Sequence, residues 1–189
     1  AVSLRTRSSQ AVLRHLSSQQ FDLGFATLDN DHPAVLRRPL FTGPMLAVLP
    51  PGHKLERKTV LEPKDFDQQP FIALGAEIGT RSETDAFLSL GDARPRIVAE
   101  AQLSASICEM VAAGAGVSIV EPVTARHFAE LGRCVVRPLS PAQPFRYDLL
   151  LPATRQPSRV AGQFLRLVNA RFEAFPRLPS KLSSGQRHL

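Results

Sequence analysis

The side chains best placed for chemistry are two hydroxyls and an arginine at predicted helix starts. In "QLSASICEMVAAG" Ser104 stands just ahead of an apolar helical run, and in "TRSETDAFLSLG" Thr80 does the same, followed by Arg81. A hydroxyl at such a point caps the first turn, whose free N–H groups and dipole attract an anion. A carboxylate held there would gain a second anchor from Arg81, whose guanidinium can pair with both oxygens. The plainer reading stays open beside it: Ser and Thr at helix starts are usually only caps, and an arginine such as Arg81 is more often a solvated surface charge.

Other candidate chemistry falls away. Gly114-x-Gly116 resembles a dinucleotide fingerprint, but such a loop follows a strand and opens a helix. Here the glycines close a helix and open a strand, so Gly114 is expected to be a helix stop. No GxxxxGK[ST], GxSxG or HExxH occurs, and His15, His32, His53, His127 and His188 are scattered without metal-ligand spacing. Asp29 and Asp31 flank a turn, where aspartates usually serve only the turn. No nucleophile, base and oxyanion donor assemble, so an enzyme is not expected, nor any cofactor or metal. Small-molecule binding is what remains.

Composition agrees with a packed soluble domain: 43% of the residues are hydrophobic and 21% charged. No apolar run is long enough to span a bilayer, and "AVSLRTRSSQ" holds no secretory signal. Cys108 and Cys134 make no framework and are expected to be structural, reduced thiols, as in a cytoplasmic protein. Of the net charge of +6, Arg177, Lys181 and Arg187 lie in a Pro/Ser-rich stretch, 176–189, expected to be a flexible tail. The remaining body is weakly basic, and charge alone implies no nucleic-acid groove.

The elements that must position these residues alternate. "AVSLRTR" is predicted as an edge strand, Ser8 or Ser9 as the cap of a helix carrying Val12, Leu13 and Leu16, and "FDLGFATL" as a parallel neighbour of the first strand. "MLAVLP" and "FIALG" read as buried strands stopped by Pro50-Pro51-Gly52 and Gly75. Thr80 with Glu83 suggests a capping box for the next helix, and Gly91 its C′ residue. Strand, helix, strand and helix follow through Leu131, then two strands and a last amphipathic helix. That helix is expected to bury Val160, Phe164, Leu167, Val168, Phe172 and Phe175. The alternation argues an α/β fold with mostly parallel sheets, with ligands beyond the carboxyl ends of strands.

The series "QFDLGFATL", "LAVLPPGHKL", "PFIALG" and "VAEAQLSASICEMVAAGAGVSIVEPVTA" resembles the effector-binding domain of LysR-type transcriptional regulators over residues 1 to about 175. The last stretch is most similar to the branch holding the lysine-biosynthesis and opine-catabolism regulators. The resemblance implies a two-lobed fold like the type 2 periplasmic binding proteins, with an effector cleft between the lobes. Lobe I would comprise residues 1–43 and 145–175, and lobe II residues 44–144. Carried over by position, the cleft would be lined by Thr27 from lobe I and by Gly75, Thr80, Gln102, Ser104 and Pro122 from lobe II. The family's first strand and helix, and its N-terminal winged helix-turn-helix, have no counterpart in this sequence.

The resulting expectation is a cytoplasmic sensor of an amino acid or derivative (lysine, diaminopimelate or opine-like). It would reach DNA through the absent N-terminal domain and act as a homodimer or homotetramer, away from membranes. A solute-binding protein of a transport system, on the same two-lobed fold, is the alternative.

Overall fold

The computed structural model describes residues 2–28, 30–76, 78–173 and 175. The expected tail, 176–189, and Asp29 lie outside the described residues. The first elements are α1 (Ser9–Ser17), β1 (Gly24–Ala26), β2 (Val35–Pro44), β3 (Leu46–Leu49) and β4 (Pro70–Leu74). Next come α2 (Gly79–Ser89), β5 (Arg96–Ala101), α3 (Ser104–Ala112) and β6 (Ser118–Val120). The last are α4 (Pro122–Glu130), β7 (Val135–Pro138), β8 (Pro144–Pro152) and α5 (Arg159–Glu173). They form two compact units: Ala1–Thr42 with Arg146–Leu189, and Gly43–Phe145.

In the first unit Ser8 caps α1, its hydroxyl accepting from the Ala11 amide at 3.4 Å. The spacing of Val12 and Leu16 then puts both on one face, where they join Ala26, Leu28, Val35 and Leu150 in a single cluster. Leu16 is fully buried, a contribution of about 1.5–3 kcal/mol for a side chain of this size. The sheet order is β1-β8-β2. β1 pairs antiparallel with β8, Gly24 facing Leu150 and Ala26 facing Asp148.

Two expectations are corrected here. Residues 2–7 form no strand, so β1 has no parallel neighbour there, and Val2 and Leu4 are exposed. Alternation alone does not make a strand: without a ladder partner its backbone groups are left to water. On α5, Val160 and Leu167 are 53% and 72% exposed. The rest of the expected stripe packs: Phe164 against Phe25 (6.3 Å between ring centres), Phe172 against Phe41 (5.7 Å), and Phe175 buried just beyond the helix, with Ala161 buried beside them.

In the second unit β3 is buried along its whole length and lies between β6 and β7, antiparallel to both. β4 and β5 pair in parallel, from Pro70 opposite Arg96 to Leu74 opposite Ala101. A parallel bridge between Phe71 and Val117 joins β4 to the β6 side, and the buried Ser118 hydroxyl donates to the Ile72 carbonyl at 2.7 Å. The α/β class therefore holds, while the expectation of mostly parallel sheets is corrected: β1–β8, β3–β6 and β3–β7 are all antiparallel. Alternation of helix and strand fixes the layers but leaves the direction of neighbours that are distant in sequence unspecified.

The glycines of the Gly-x-Gly stretch have separate tasks. Gly114 ends α3 in the left-handed region, at φ +82°, the helix stop expected of it. Gly116 passes so close to β4 that a Cβ would stand 2.6 Å from the Pro70 carbonyl oxygen. Helix starts depart from expectation. Ile78 and Leu103 occupy the N-cap positions of α2 and α3, so Thr80 and Ser104 lie inside the first turn and neither helix has a side-chain cap. The Thr80 capping box is thus absent, whereas α4 is capped strongly by a residue that was not singled out. Glu121 accepts from the Val123 amide at 2.7 Å and from the Thr124 amide at 3.0 Å, with Pro122 next to it as the first helical residue. Glu121 is only 5% exposed, and burial pushes its carboxyl up, opposed in part by these hydrogen bonds.

Replacing Gly116 by Ala is expected to cost about 1–3 kcal/mol in urea unfolding, the range for overpacking against an unyielding neighbour. An unchanged midpoint would show that β4 gives way. Glu121 provides a pH test. A carboxyl raised in the folded state binds its proton more tightly there, so its effect is most favourable below the ordinary value of 4.5 and is lost as pH rises through the folded value. Unfolding free energies of wild type and Glu121→Gln, followed from about pH 4 to about pH 8, should therefore diverge to the disadvantage of wild type as pH rises. A pH-independent difference would contradict this.

Candidate functional site

Two strand ends define the candidate surface of the second unit. β4 and β5 stop together at Leu74 and Ala101, and the Gly75 amide donates to the Ala101 carbonyl at 3.0 Å. From there one chain turns into α2 and the other passes through Gln102 and Leu103 into α3. The site residues expected at Gly75, Thr80, Gln102 and Ser104 therefore gather around the carboxyl ends of one parallel strand pair. β6 runs parallel to β4 at the Phe71–Val117 bridge, so Pro122 follows a strand ending on the same side. Gln102 is exposed and Ser104 half-buried, whereas Gly75, Thr80 and Pro122 are buried. Neither N-cap residue bonds its side chain into the first turn of α2 or α3, though in α2 the Arg81 amide already donates to the Ile78 carbonyl at 2.9 Å; the positive end of each helix dipole still attracts a negative group.

Arg81 has a different task from the one its position suggested. Its Nη1 donates to the Leu74 carbonyl at 2.7 Å and to Glu100 at 2.9 Å, and its Nε to Asp85 at 2.9 Å. One guanidinium thus ties the end of β4 to β5 and to α2, and the Glu100 hydrogen bond leads in raising its pKa further. These contacts occupy Nε and Nη1 of the guanidinium. Thr27 belongs to the first unit, just after β1, where its hydroxyl donates to the Arg146 carbonyl at 2.7 Å.

The first unit also holds a charge cluster that reading the sequence missed. Asp148, on β8, is 0% exposed. Its Oδ2 accepts from Arg37 Nε at 2.6 Å and lies 3.2 Å from Arg146 Nε. Asp31 takes the Nη1 of Arg37 at 3.3 Å and is therefore more than a turn residue. These four residues, with Val35 and Pro39 among others, line a cavity of about 490 Å³. The signal was present in "YDLLL": an aspartate inside a run of buried apolar residues needs a partner.

Two further titratable groups are the cysteines. Cys108 and Cys134 are free and buried, and burial pushes the Cys108 thiol up to about 12, far from the thiolate that a nucleophile needs. Among the described residues no group of three or more His, Cys, Asp or Glu could hold a metal ion, and no helix is long and apolar enough to cross a membrane.

Comparison with known proteins places this geometry. The LysR substrate binding domain family matches residues 1–173. The regulatory protein NocR of Agrobacterium tumefaciens (strain T37) is 31% identical over 176 residues, which cover 93% of this chain and 58% of NocR. The transcriptional activator protein LysR of Escherichia coli is 34% identical over 169 residues, covering 89% of this chain and 53% of that protein. The chain therefore spans a little over half the length of these relatives. In fold it matches the regulatory domain of CcmR from Synechocystis, solved in complex with 2-PG, at a TM-score of 0.71 and 17% identity, over 93% of this chain and 85% of that one. The two α/β units, the paired strand ends of the second and the match along nearly the whole chain give one conclusion: this chain belongs to the LysR substrate-binding domain family, the effector-binding domains of LysR-type transcriptional regulators.

Proposed function

We propose that the chain senses an amino acid or an amino-acid derivative of the lysine, diaminopimelate or opine kind and transmits its binding to DNA recognition elsewhere in a longer regulator. The observation that carries this reading is the convergence of Gly75, Thr80, Gln102 and Ser104 on one pair of parallel strand ends, beside two helix starts without side-chain caps. Helix N-terminal donors suit a carboxylate, and the exposed Gln102 amide can donate to or accept from the polar groups that distinguish one amino acid from another. Pro122 follows a strand that ends on the same side of the second unit. The resemblance of Ala99–Ala125 to the lysine and opine regulators supplies the ligand class.

Sensing requires that the ligand bind one conformation better than another; equal affinity for both transmits nothing. In this reading the regulator works in the cytoplasm as a homodimer or homotetramer, with an N-terminal winged helix-turn-helix on the operator. In this reading none of the described residues has a catalytic task.

A thermal-shift screen of the chain against lysine, diaminopimelate, arginine, octopine and nopaline tests the reading. Saturable stabilisation by one of them is expected. Ser104→Ala and Gln102→Ala should each weaken that ligand by about 1–3 kcal/mol in calorimetry, the cost of leaving a polar partner unpaired. Wild-type affinity in both variants would remove the strand-end surface from the site. A folded protein that responds to none of the five would remove the ligand class.

A further inference from the structure

We infer that the outer face of α5 is a docking surface for the phosphate backbone of double-stranded DNA, met through Arg159, Arg166 and Arg171. The inference rests on the charge of the chain and not on the effector surface of the second unit. The net charge of +6 is concentrated in one place. Residues 159–189 hold six basic residues and a single acid, a net of +5, which leaves +1 for the other 158. Half of those six are on α5, and all three are exposed. Elsewhere arginines are taken up by carboxylates: Arg37 by Asp148, Arg81 by Asp85 and Glu100, Arg133 by Glu109 and Arg155 by Asp22. Among the described residues the three on α5 have no such ion pair, and Arg171 lies over the Phe175 ring at 5.9 Å.

The packing of α5 fixes where these charges point. Phe164 sits against Phe25 and Phe172 against Phe41, so the opposite side of the helix is turned to solvent. Arg159 and Arg166 are seven residues apart, two turns on one column and about 10.5 Å along the axis. Arg171 lies further on, about 18 Å along the axis from Arg159. No single carboxylate or phosphate reaches across that span; a ligand with charge repeated along its length does. Duplex DNA presents a charge about every 1.7 Å of its axis, and an arginine fork fits a phosphate with two parallel hydrogen bonds. A membrane surface suits this helix less, because most of its apolar stripe is packed inward, leaving Val160 and Leu167 exposed. A second copy of α5 would set arginine against arginine, with Glu173 the one acid of the helix to offset them.

Fluorescence anisotropy of a labelled duplex of about 25 base pairs, titrated with the full chain at about 50 to 200 mM salt, tests the surface. Binding at the lowest salt is expected whatever the base sequence, with the logarithm of affinity falling linearly against that of salt. Arg159→Gln, Arg166→Gln and Arg171→Gln together should weaken it about tenfold or more at low salt. They should also make the slope shallower by about 2–3, at about 0.9 per phosphate contact. Arg159→Lys, Arg166→Lys and Arg171→Lys together should keep the slope. Arg14→Gln removes the same charge from α1 and should change little. Phe25 and Ala26, successive residues of β1, turn to α5 and to the α1 cluster on opposite sides of the sheet. A wild-type chain that leaves the duplex free at the lowest salt would overturn the inference, whether or not the glutamine variant folds. So would a folded glutamine variant with wild-type affinity, or a loss as large with Arg14→Gln. Tighter binding to poly-glutamate or to phosphatidylglycerol vesicles at the same salt would overturn it too, giving the face to an acidic protein or a membrane.

Discussion

Arg81 is the interaction on which the arrangement of the second unit depends. Parallel strands do not share a hairpin, so nothing local in the chain forces β4 and β5 to end at the same level. The Arg81 guanidinium does so through the Leu74 carbonyl, Glu100 and Asp85, linking both strands and the following helix at once. With that end fixed, the Gly75 amide meets the Ala101 carbonyl, and the turns into α2 and α3 leave side by side. The ion pairs themselves are partly exposed, and their worth is in geometry more than in energy. The behaviour of the candidate surface follows from that geometry, since donors held in position bind without a further ordering cost.

The first unit is organised differently. Its α1 face is apolar from Val12 and Leu16 to Leu150, and two residues along β8 from Leu150 stands a fully buried aspartate. Burying a charge in this way is expensive unless it is paired, and Arg37 and Arg146 supply the pairing from β2 and β8. One sheet face therefore changes from hydrophobic packing to ion pairing within a single strand. The second unit has no such break on β3, where four successive residues are buried and all are apolar.

Much of this was legible in the residues themselves. From Leu46 onward the order of elements, the buried strands at Leu46–Leu49 and Pro70–Leu74, and the stop at Gly114 follow from local signals, as does the Ser8 cap before them, whereas the strand β2 at Val35–Pro44 was not read. Most of the errors concern partners distant in sequence. Residues 2–7 alternate like a strand but have no ladder, and on α5 Val160 and Leu167 fall outside the stripe that Phe164 and Phe172 pack inward. Thr80 and Ser104 look like caps, but the residue before each helix already takes the extended conformation, which moves them into the first turn. Arg81 looks free until Glu100 is brought beside it. Asp31 and Asp148 are 117 positions apart, and only the fold brings them to the same arginine.

The central claim is that the ends of β4 and β5 form the effector surface. Hydrogen–deuterium exchange resolved to single amides, with and without a saturating amino-acid or opine ligand, tests it most directly, because it reads the backbone donors said to hold the carboxylate. The account predicts slowed exchange at Gly75–Gly79 and at Gln102–Ser106, with the buried amides of β3 unchanged. Ligand-dependent protection that leaves both of these segments untouched would contradict it.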